Sequence, residues 1–260
     1  MKPVRLVAVS YLNTKPFIYG LYKRLKPESF ELTLDIPSGC ARRLLNGEAD
    51  LALMPVGALP DLEAAYLVSH FCIGATGPVK TVCLYAEKPL GEIKRVLLDY
   101  HSRTSVLLVQ ILFRHYWQRE VAFEQTAPGF EAHIKEDTAA LIIGDRTIGL
   151  DKRYRYVYDL GEAWTTWTGL PFVFAAWVSR HPIGTEFEDN FNTALQAGID
   201  HIPELIKILP AIPGLDAEQY FRQNISYTLD APKWAGLKKF LSLVPEKSEF
   251  QLLSNSFATH

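Results

Sequence analysis

Short apolar runs that alternate with helical segments constrain the fold of this chain more than any other feature of its sequence. Such runs are typical of strands that are buried on both faces, since these strands need no polar side. We predict strands at 4–9, 30–36, 49–56, 65–73, 81–85, 95–99, 121–124, 139–143 and 172–178. Helices are predicted at 16–25, 38–47 (capped by Ser38), 102–117, 187–201, 217–224 and 233–243.

This alternation predicts an α/β fold with parallel sheets, in which ligands bind at the carboxyl ends of strands. A length of 260 residues suits two modest lobes or one large domain. Because no low-complexity linker occurs, we expect two lobes that the chain joins through strands near 82–88 and 174–179. The predicted first lobe is discontinuous, with residues 1–83 and 178–260, and the second comprises residues 84–177.

Two predicted strands end in turns that are rich in hydroxyl and amide groups. The first turn contains Ser10, Tyr11, Asn13 and Thr14 and precedes a helix that Pro16 opens. The second contains four consecutive polar residues, Ser102, Arg103, Thr104 and Ser105. Helix N-termini bind carboxylates and phosphates, because their first N–H groups lack partners and carry partial positive charge. Simple helix capping explains one such turn, whereas two of them suggest a cleft for a dicarboxylate.

Three further groups lie near predicted strand ends. The segment GATGPVKT, residues 74–81, combines glycines with Thr81, and an ordinary loop is its simpler interpretation. Gly144 and Asp145 follow strand 139–143, where Asp145 could orient Arg146 or cap the next turn. His101 is the one histidine on a predicted ligand turn, where a solvated side chain is the simpler alternative to a catalytic base.

Composition and motifs narrow the classes of function. A formal net charge of −2 argues against nucleic-acid and membrane-surface binding. The three cysteines, Cys40, Cys72 and Cys83, form no metal-binding or disulfide pattern, so we expect reduced thiols and no metal. No signal-like leader and no apolar run of roughly 20 residues occurs, which predicts a cytoplasmic protein. The sequence contains no HExxH, GxSxG, GxGxxG or phosphate-loop motif.

Five segments, in order, carry a resemblance to a known family: SYLNTKP at 10–16, GPVKTV at 77–82, SRTS at 102–105, IGDR at 143–146 and GLPFVFAAWV at 169–178. Together they resemble the chorismate dehydratases of the futalosine route to menaquinone. The resemblance implies a periplasmic-binding-protein type II fold used as a cofactor-independent carbon–oxygen lyase (hydro-lyase). Its reaction removes water from chorismate to give 3-(1-carboxyvinyloxy)benzoate. It also implies that Asn13 and the residue at 81 are the polar side chains nearest the chemistry, although this chain has Thr81 where the family has serine.

The remaining expectations follow from this resemblance and the turns. We expect a dicarboxylate substrate to contact Ser10, Tyr11, the 102–105 turn, Gly144 and Asp145. We expect neither nucleic acid nor membrane as a partner. A homodimer is possible. No motif residue is a convincing base at neutral pH, so the substrate's own enolpyruvyl carboxylate is the expected proton acceptor. The alternatives are a cytoplasmic small-carboxylate-binding protein, a ligand-sensing domain and the related 1,4-dihydroxy-6-naphthoate synthase, whose first turn has a Pro-Asn-Asp-Thr core.

Overall fold

A computed structural model describes residues 2–245 and 251–254. Its strands are β1 (Val4–Val9), β2 (Phe30–Asp35), β3 (Leu51–Pro55), β4 (Ala64–Ala75), β5 (Val82–Ala86), β6 (Arg95–Leu98), β7 (Ala122–Gln125), β8 (Thr138–Ile143), β9 (Tyr156–Asp159), β10 (Phe172–Ser179), β11 (Ser226–Thr228) and β12 (Gln251–Ser254). Its α-helices are α1 (Lys15–Arg24), α2 (Pro37–Leu45), α3 (Thr104–Ile111), α4 (Leu160–Thr168), α5 (Thr185–Asp200), α6 (Ile202–Ile208), α7 (Ala217–Gln219) and α8 (Ala231–Leu243).

The strands form two sheets that share one plan. The seven-stranded sheet has the order β11-β4-β10-β3-β1-β2, with β12 beside β4, and the five-stranded sheet has the order β7-β6-β8-β5-β9. Each sheet contains three neighbouring parallel strands, then one antiparallel strand, then another strand in the original direction. We call the elements of the first sheet the first lobe and those of the second sheet the second lobe. The predicted two-lobed α/β fold is confirmed.

In each sheet, the antiparallel strand next to the three parallel strands arrives from the other lobe. The chain leaves β4, crosses through residues 76–81 and enters the second sheet as β5, which is antiparallel to β8 and β9. It returns through residues 169–171 as β10, which is antiparallel to β3 and β4. The expectation of parallel sheets was therefore wrong for these strands, because each enters its sheet from the other lobe and not from a neighbouring strand of the same sheet. The predicted lobe boundaries, 83/84 and 177/178, stay a prediction.

Apolar strands in the middle of each sheet explain why the core forms where it does. All residues of β3, β5, β8 and β10 are buried. Helices cover the first sheet, and Gly20 of α1 lies so close to Gly198 of α5 that a Cβ on either residue would collide with the facing backbone. In contrast, β2 and β7 lie at sheet edges and keep exposed side chains.

Several local predictions were incomplete. Ser38 does not cap α2: Ile36 is the N-cap and Pro37 starts the helix, since proline fits a first turn that needs no N–H. The predicted helix 102–117 starts as α3 and continues as a π-helix at Leu112–Tyr116. β9, α4, α6, β11 and β12 were not predicted. In residues 2–245 and 251–254, no helix has the length and apolar character to cross a bilayer.

Candidate active site

A cavity lies where the ends of strands from the two lobes meet. Its internal volume in this structure is small, about 50 Å³. Most of its wall is apolar and comes from both lobes, with Val9, Ile73 and Phe174 from the first and Val82 and Ile143 from the second. Its polar part contains seven sequence-predicted residues: Tyr11, Asn13, Thr81, Ser102, Thr104, Ser105 and Gly144.

The turn after β1 supplies one side of the cavity. A short 3₁₀ helix, Leu12–Thr14, connects β1 to α1 and turns Asn13 toward the cavity. The carbonyl oxygen of Asn13 accepts a hydrogen bond from the Tyr227 hydroxyl at 3.0 Å, which fixes the backbone at this position. Ser10 lies outside the cavity: its side chain is exposed and its backbone N–H donates to the Asp35 carbonyl.

The turn before α3 supplies the opposite side. Ser102 is buried, and its hydroxyl accepts the Ser105 N–H at 3.0 Å, so this serine stabilises the first turn of the helix. The Thr104 hydroxyl joins the lobes, because it accepts the Gly57 N–H and donates to the Phe174 carbonyl, both at 3.0 Å.

Arg103 contributes nothing to the cavity wall. Its guanidinium is half exposed and forms an ion pair with Asp61 on the outer side of the turn. The anion-binding fork expected at this position is therefore directed away from the other turn residues.

A polar network behind the cavity fixes Tyr11. The Tyr11 hydroxyl lies 2.7 Å from Nδ1 of the His101 ring. The buried Asp99 carboxylate accepts a hydrogen bond from the backbone N–H of His101 and forms an ion pair with Arg146. Burial raises the pKa of Tyr11 far above its ordinary value. Burial, followed by the positive charge of Arg146, lowers the pKa of His101. Both groups are therefore neutral near pH 7, and the tautomer of the imidazole decides which of the two donates.

Gly144 and Asp145 occupy different positions relative to the cavity. Gly144 has φ of +70°, and a Cβ there would lie 2.5 Å from the Tyr11 ring, so both backbone and packing require glycine. Asp145 does not line the cavity. Its carboxylate accepts the Leu12 N–H at 3.0 and 3.1 Å and thereby links the lobes, whereas Arg146 pairs with other acids.

Thr81 enters the cavity at the end of the crossover between the lobes. The preceding Lys80 has φ of +67°, a strained conformation for a residue with a side chain. The Asp159 carboxylate stabilises it by accepting the N–H groups of Val79 at 3.1 Å and Lys80 at 2.7 Å. The same carboxylate caps α4, and its pKa is raised by burial.

Tyr220 is a site residue that the sequence analysis missed. Its hydroxyl lies 3.0 Å from the Thr81 hydroxyl, and the Asn13 side chain interacts with it as well. The sequence around it predicts only a helix, and its contact with Thr81 spans 139 positions. No local pattern could have identified it.

The fold is similar to that of periplasmic binding proteins. Three solved structures resemble this chain over most of its length. AF1704 from Archaeoglobus fulgidus has a TM-score of 0.70 at 16% identity, with 93% of this chain and 96% of that chain covered. A Candida albicans protein described as having the generic periplasmic-binding-protein fold has a TM-score of 0.66 at 12% identity, with 96% and 92% covered. The alkanesulfonate-binding protein SsuA of Xanthomonas axonopodis, bound to MOPS, has a TM-score of 0.63 at 13% identity, with 98% and 99% covered.

The sequence comparisons identify a narrower class of proteins than the fold does. The model of a family described as menaquinone biosynthesis matches residues 4–246, so the chain belongs to that family. A curated relative, the chorismate dehydratase of Thermus thermophilus, is 28% identical over 262 aligned positions, which cover 92% of this chain and 94% of that protein. These findings agree with the resemblance that the five sequence segments indicated.

Proposed function

We propose that this protein is a chorismate dehydratase, a hydro-lyase that converts chorismate into 3-(1-carboxyvinyloxy)benzoate and water for menaquinone biosynthesis. The family match and the Thermus thermophilus relative support this function. The structural observation that carries it is the cavity that brings Asn13 and Thr81 opposite the turn at 102–105. Chorismate has a ring carboxylate, an enolpyruvyl carboxylate and the hydroxyl that must leave, so its site needs hydrogen-bond donors on more than one side. The expected cytoplasmic location and homodimer stay predictions.

The start of α3 suits one carboxylate of the substrate. Ser102 and Ser105 line the cavity at this helix start, where the N–H groups and the helix dipole favour negative charge. The opposite turn presents the Asn13 amide, and the crossover presents the Thr81 hydroxyl. We assign Asn13 to the enolpyruvyl arm or the leaving hydroxyl, and Thr81 to a hydrogen bond with the substrate.

The proton acceptor follows from what lines the cavity. Among residues 2–245 and 251–254, the cavity wall includes no carboxylate, histidine or lysine. Tyr11 is the one phenol in that described wall, and its raised pKa keeps it protonated. We therefore assign the proton of the ring carbon that bears the enolpyruvyl ether to the substrate's own enolpyruvyl carboxylate. The neighbouring C–O bond breaks, the leaving hydroxyl takes up the proton that the carboxylate accepted and departs as water, and the ring becomes aromatic.

Orientation then supplies most of the rate. A well-oriented intramolecular reaction can gain roughly 7–11 kcal/mol over its unconstrained counterpart. The apolar wall formed by Val9, Ile73 and Phe174 limits water around the reacting carboxylate. All atoms of the two products come from chorismate, so the assigned steps need no cofactor.

Mass spectrometry of chorismate incubated with the purified protein tests this function. We expect a product lighter than chorismate by one water, formed in proportion to protein concentration. An Asn13→Ala sample and a sample without protein are the controls, and neither should show comparable formation. Chorismate that binds but returns unchanged would contradict the proposal and favour a small-carboxylate-binding protein.

Steady-state kinetics of Asn13→Ala test the role of this side chain. If Asn13 acts mainly in the transition state, kcat falls by about 100-fold, as for other lost polar donors, while KM changes little. Equal losses in substrate binding and in kcat would contradict this assignment.

A further inference from the structure

Tyr220 lies at the point where the two proposed reaction residues meet. Its side chain is 1% exposed, and its hydroxyl is 3.0 Å from the Thr81 hydroxyl. The Asn13 side chain also interacts with this hydroxyl. One buried phenol from the C-terminal part of the chain therefore contacts a side chain of the first turn and a side chain of the crossover.

The backbone around Tyr220 holds it in this position. Tyr220 is the first residue of a π-helix, Tyr220–Asn224, in which the Ile225 N–H donates to the Tyr220 carbonyl at 3.0 Å. Such wide turns are rare and occur frequently at functional sites. At the other end of the π-helix, the Asn224 amide donates to the Pro78 carbonyl at 2.9 Å. The segment thus binds the crossover at two places, before and at Thr81.

Two contacts hold the Thr81 hydroxyl. It lies 3.4 Å from the Val79 carbonyl, to which it can donate, and 3.0 Å from the Tyr220 hydroxyl, where either oxygen can be the donor. Burial raises the pKa of Tyr220 far above its ordinary value, so the phenol keeps its proton. Threonine has few χ1 rotamers, and the two hydrogen bonds select one of them.

We infer that Tyr220 is a positioning residue of the proposed dehydration: its hydroxyl fixes the rotamer of Thr81, and with it the direction in which the Thr81 hydroxyl faces the substrate. This inference rests on the proposed function. Tyr220 is absent from the cavity wall, so it acts through Thr81 rather than on the substrate. Its loss should therefore lower turnover and leave most of the binding energy in place.

The test compares Tyr220→Phe with Tyr85→Phe. Tyr85 is the matched control, because it is also 1% exposed, its hydroxyl donates to the Thr147 carbonyl at 3.4 Å, and it does not line the cavity. We expect Tyr220→Phe to lower kcat by about tenfold or more and to change KM by less than about threefold, as for loss of one oriented hydrogen bond. Tyr85→Phe should keep the wild-type kcat. A wild-type kcat in Tyr220→Phe would overturn the inference.

A double-mutant cycle separates positioning from a general loss of structure. With Thr81→Val already present, adding Tyr220→Phe should lower kcat by less than about threefold, because its partner is gone. If the double variant instead lowers kcat by the full product of the two single-variant decreases, the inference is overturned. Rates are divided by the fraction of each sample that binds the reaction product, so partial unfolding does not count as lost turnover. If the wild type forms no product lighter by one water, the proposed function and this inference both fail. If the wild type is active and Tyr220→Phe is equally active, the inference alone is refuted.

Discussion

Gly144→Ala tests whether Gly144 is needed to seat the Tyr11 ring against the cavity. The new Cβ would lie 2.5 Å from two atoms of that ring, closer than real contacts allow. It would also place a side chain on a residue with φ of +70°. Gly149 is a natural control, because its φ is +83° but nothing lies within 4 Å of the corresponding Cβ. Gly149→Ala therefore introduces the backbone strain without the collision.

The two costs can be estimated separately. A left-handed conformation costs a residue with a side chain roughly 1–2 kcal/mol. An extra methyl group in a packed site adds about 1–3 kcal/mol, because the Tyr11 ring must move. We expect Gly149→Ala to lower the free energy of unfolding by the first amount and Gly144→Ala by the sum, about 2–5 kcal/mol. In a chain of this size, the difference between the two variants corresponds to a Tm for Gly144→Ala that is about 2–12 °C below that of Gly149→Ala.

Urea unfolding followed by tryptophan fluorescence measures these free energies, and chorismate turnover measures the consequence for the site. Gly144→Ala should lose kcat/KM because the Tyr11 ring lines the cavity, whereas Gly149→Ala should retain it. The reasoning is refuted if both variants lose the same stability. It is equally refuted if Gly144→Ala keeps the wild-type kcat/KM.

Two further predictions concern groups behind the cavity wall. Asp159→Ala should lower the free energy of unfolding by about 2 kcal/mol and reduce kcat, because the Asp159 carboxylate accepts hydrogen bonds from four N–H groups. The control Asp216→Ala loses one exposed helix cap and should lower the free energy of unfolding by about 1 kcal/mol or less. Equal losses in these two unfolding experiments would contradict the assignment. The lowered pKa of His101 means that the unfolded chain binds a proton that the folded chain does not, so stability should decrease as pH falls below about 6.5. Unfolding measured from pH 7.5 to 5 should show a shallower decrease in His101→Gln, and an unchanged slope would contradict the pKa argument.

The fold was predictable where burial alone decides the structure. Strands buried on both faces, such as β3 and β8, are apolar throughout and can be read from composition. Partly exposed β9 was missed, because its tyrosines and acid follow a basic run and show no apolar stripe. The directions of β5 and β10 were wrong, because strand direction depends on which lobe the chain comes from. That information is absent from any local pattern.

The site was predictable to the extent that strand ends present it. Asn13 and Ser102 lie on turns that follow strands, and such turns meet at the same edge of a parallel arrangement. The orientation of individual side chains was not predictable. Arg103 and Asp145 satisfy their charges elsewhere, through Asp61 and the Leu12 N–H, and these partners are distant in sequence. Tyr220 required the tertiary structure.

The central claim is that the two turns hold one doubly anionic molecule in the cavity between the lobes. A crystal structure of the protein with 3-(1-carboxyvinyloxy)benzoate bound tests it most directly. We predict one carboxylate within hydrogen-bonding distance of the helix start at 102–105, with Asn13 and Thr81 in contact with the same molecule. A product molecule bound outside this cavity, or one that contacts only one of the two turns, would contradict the claim.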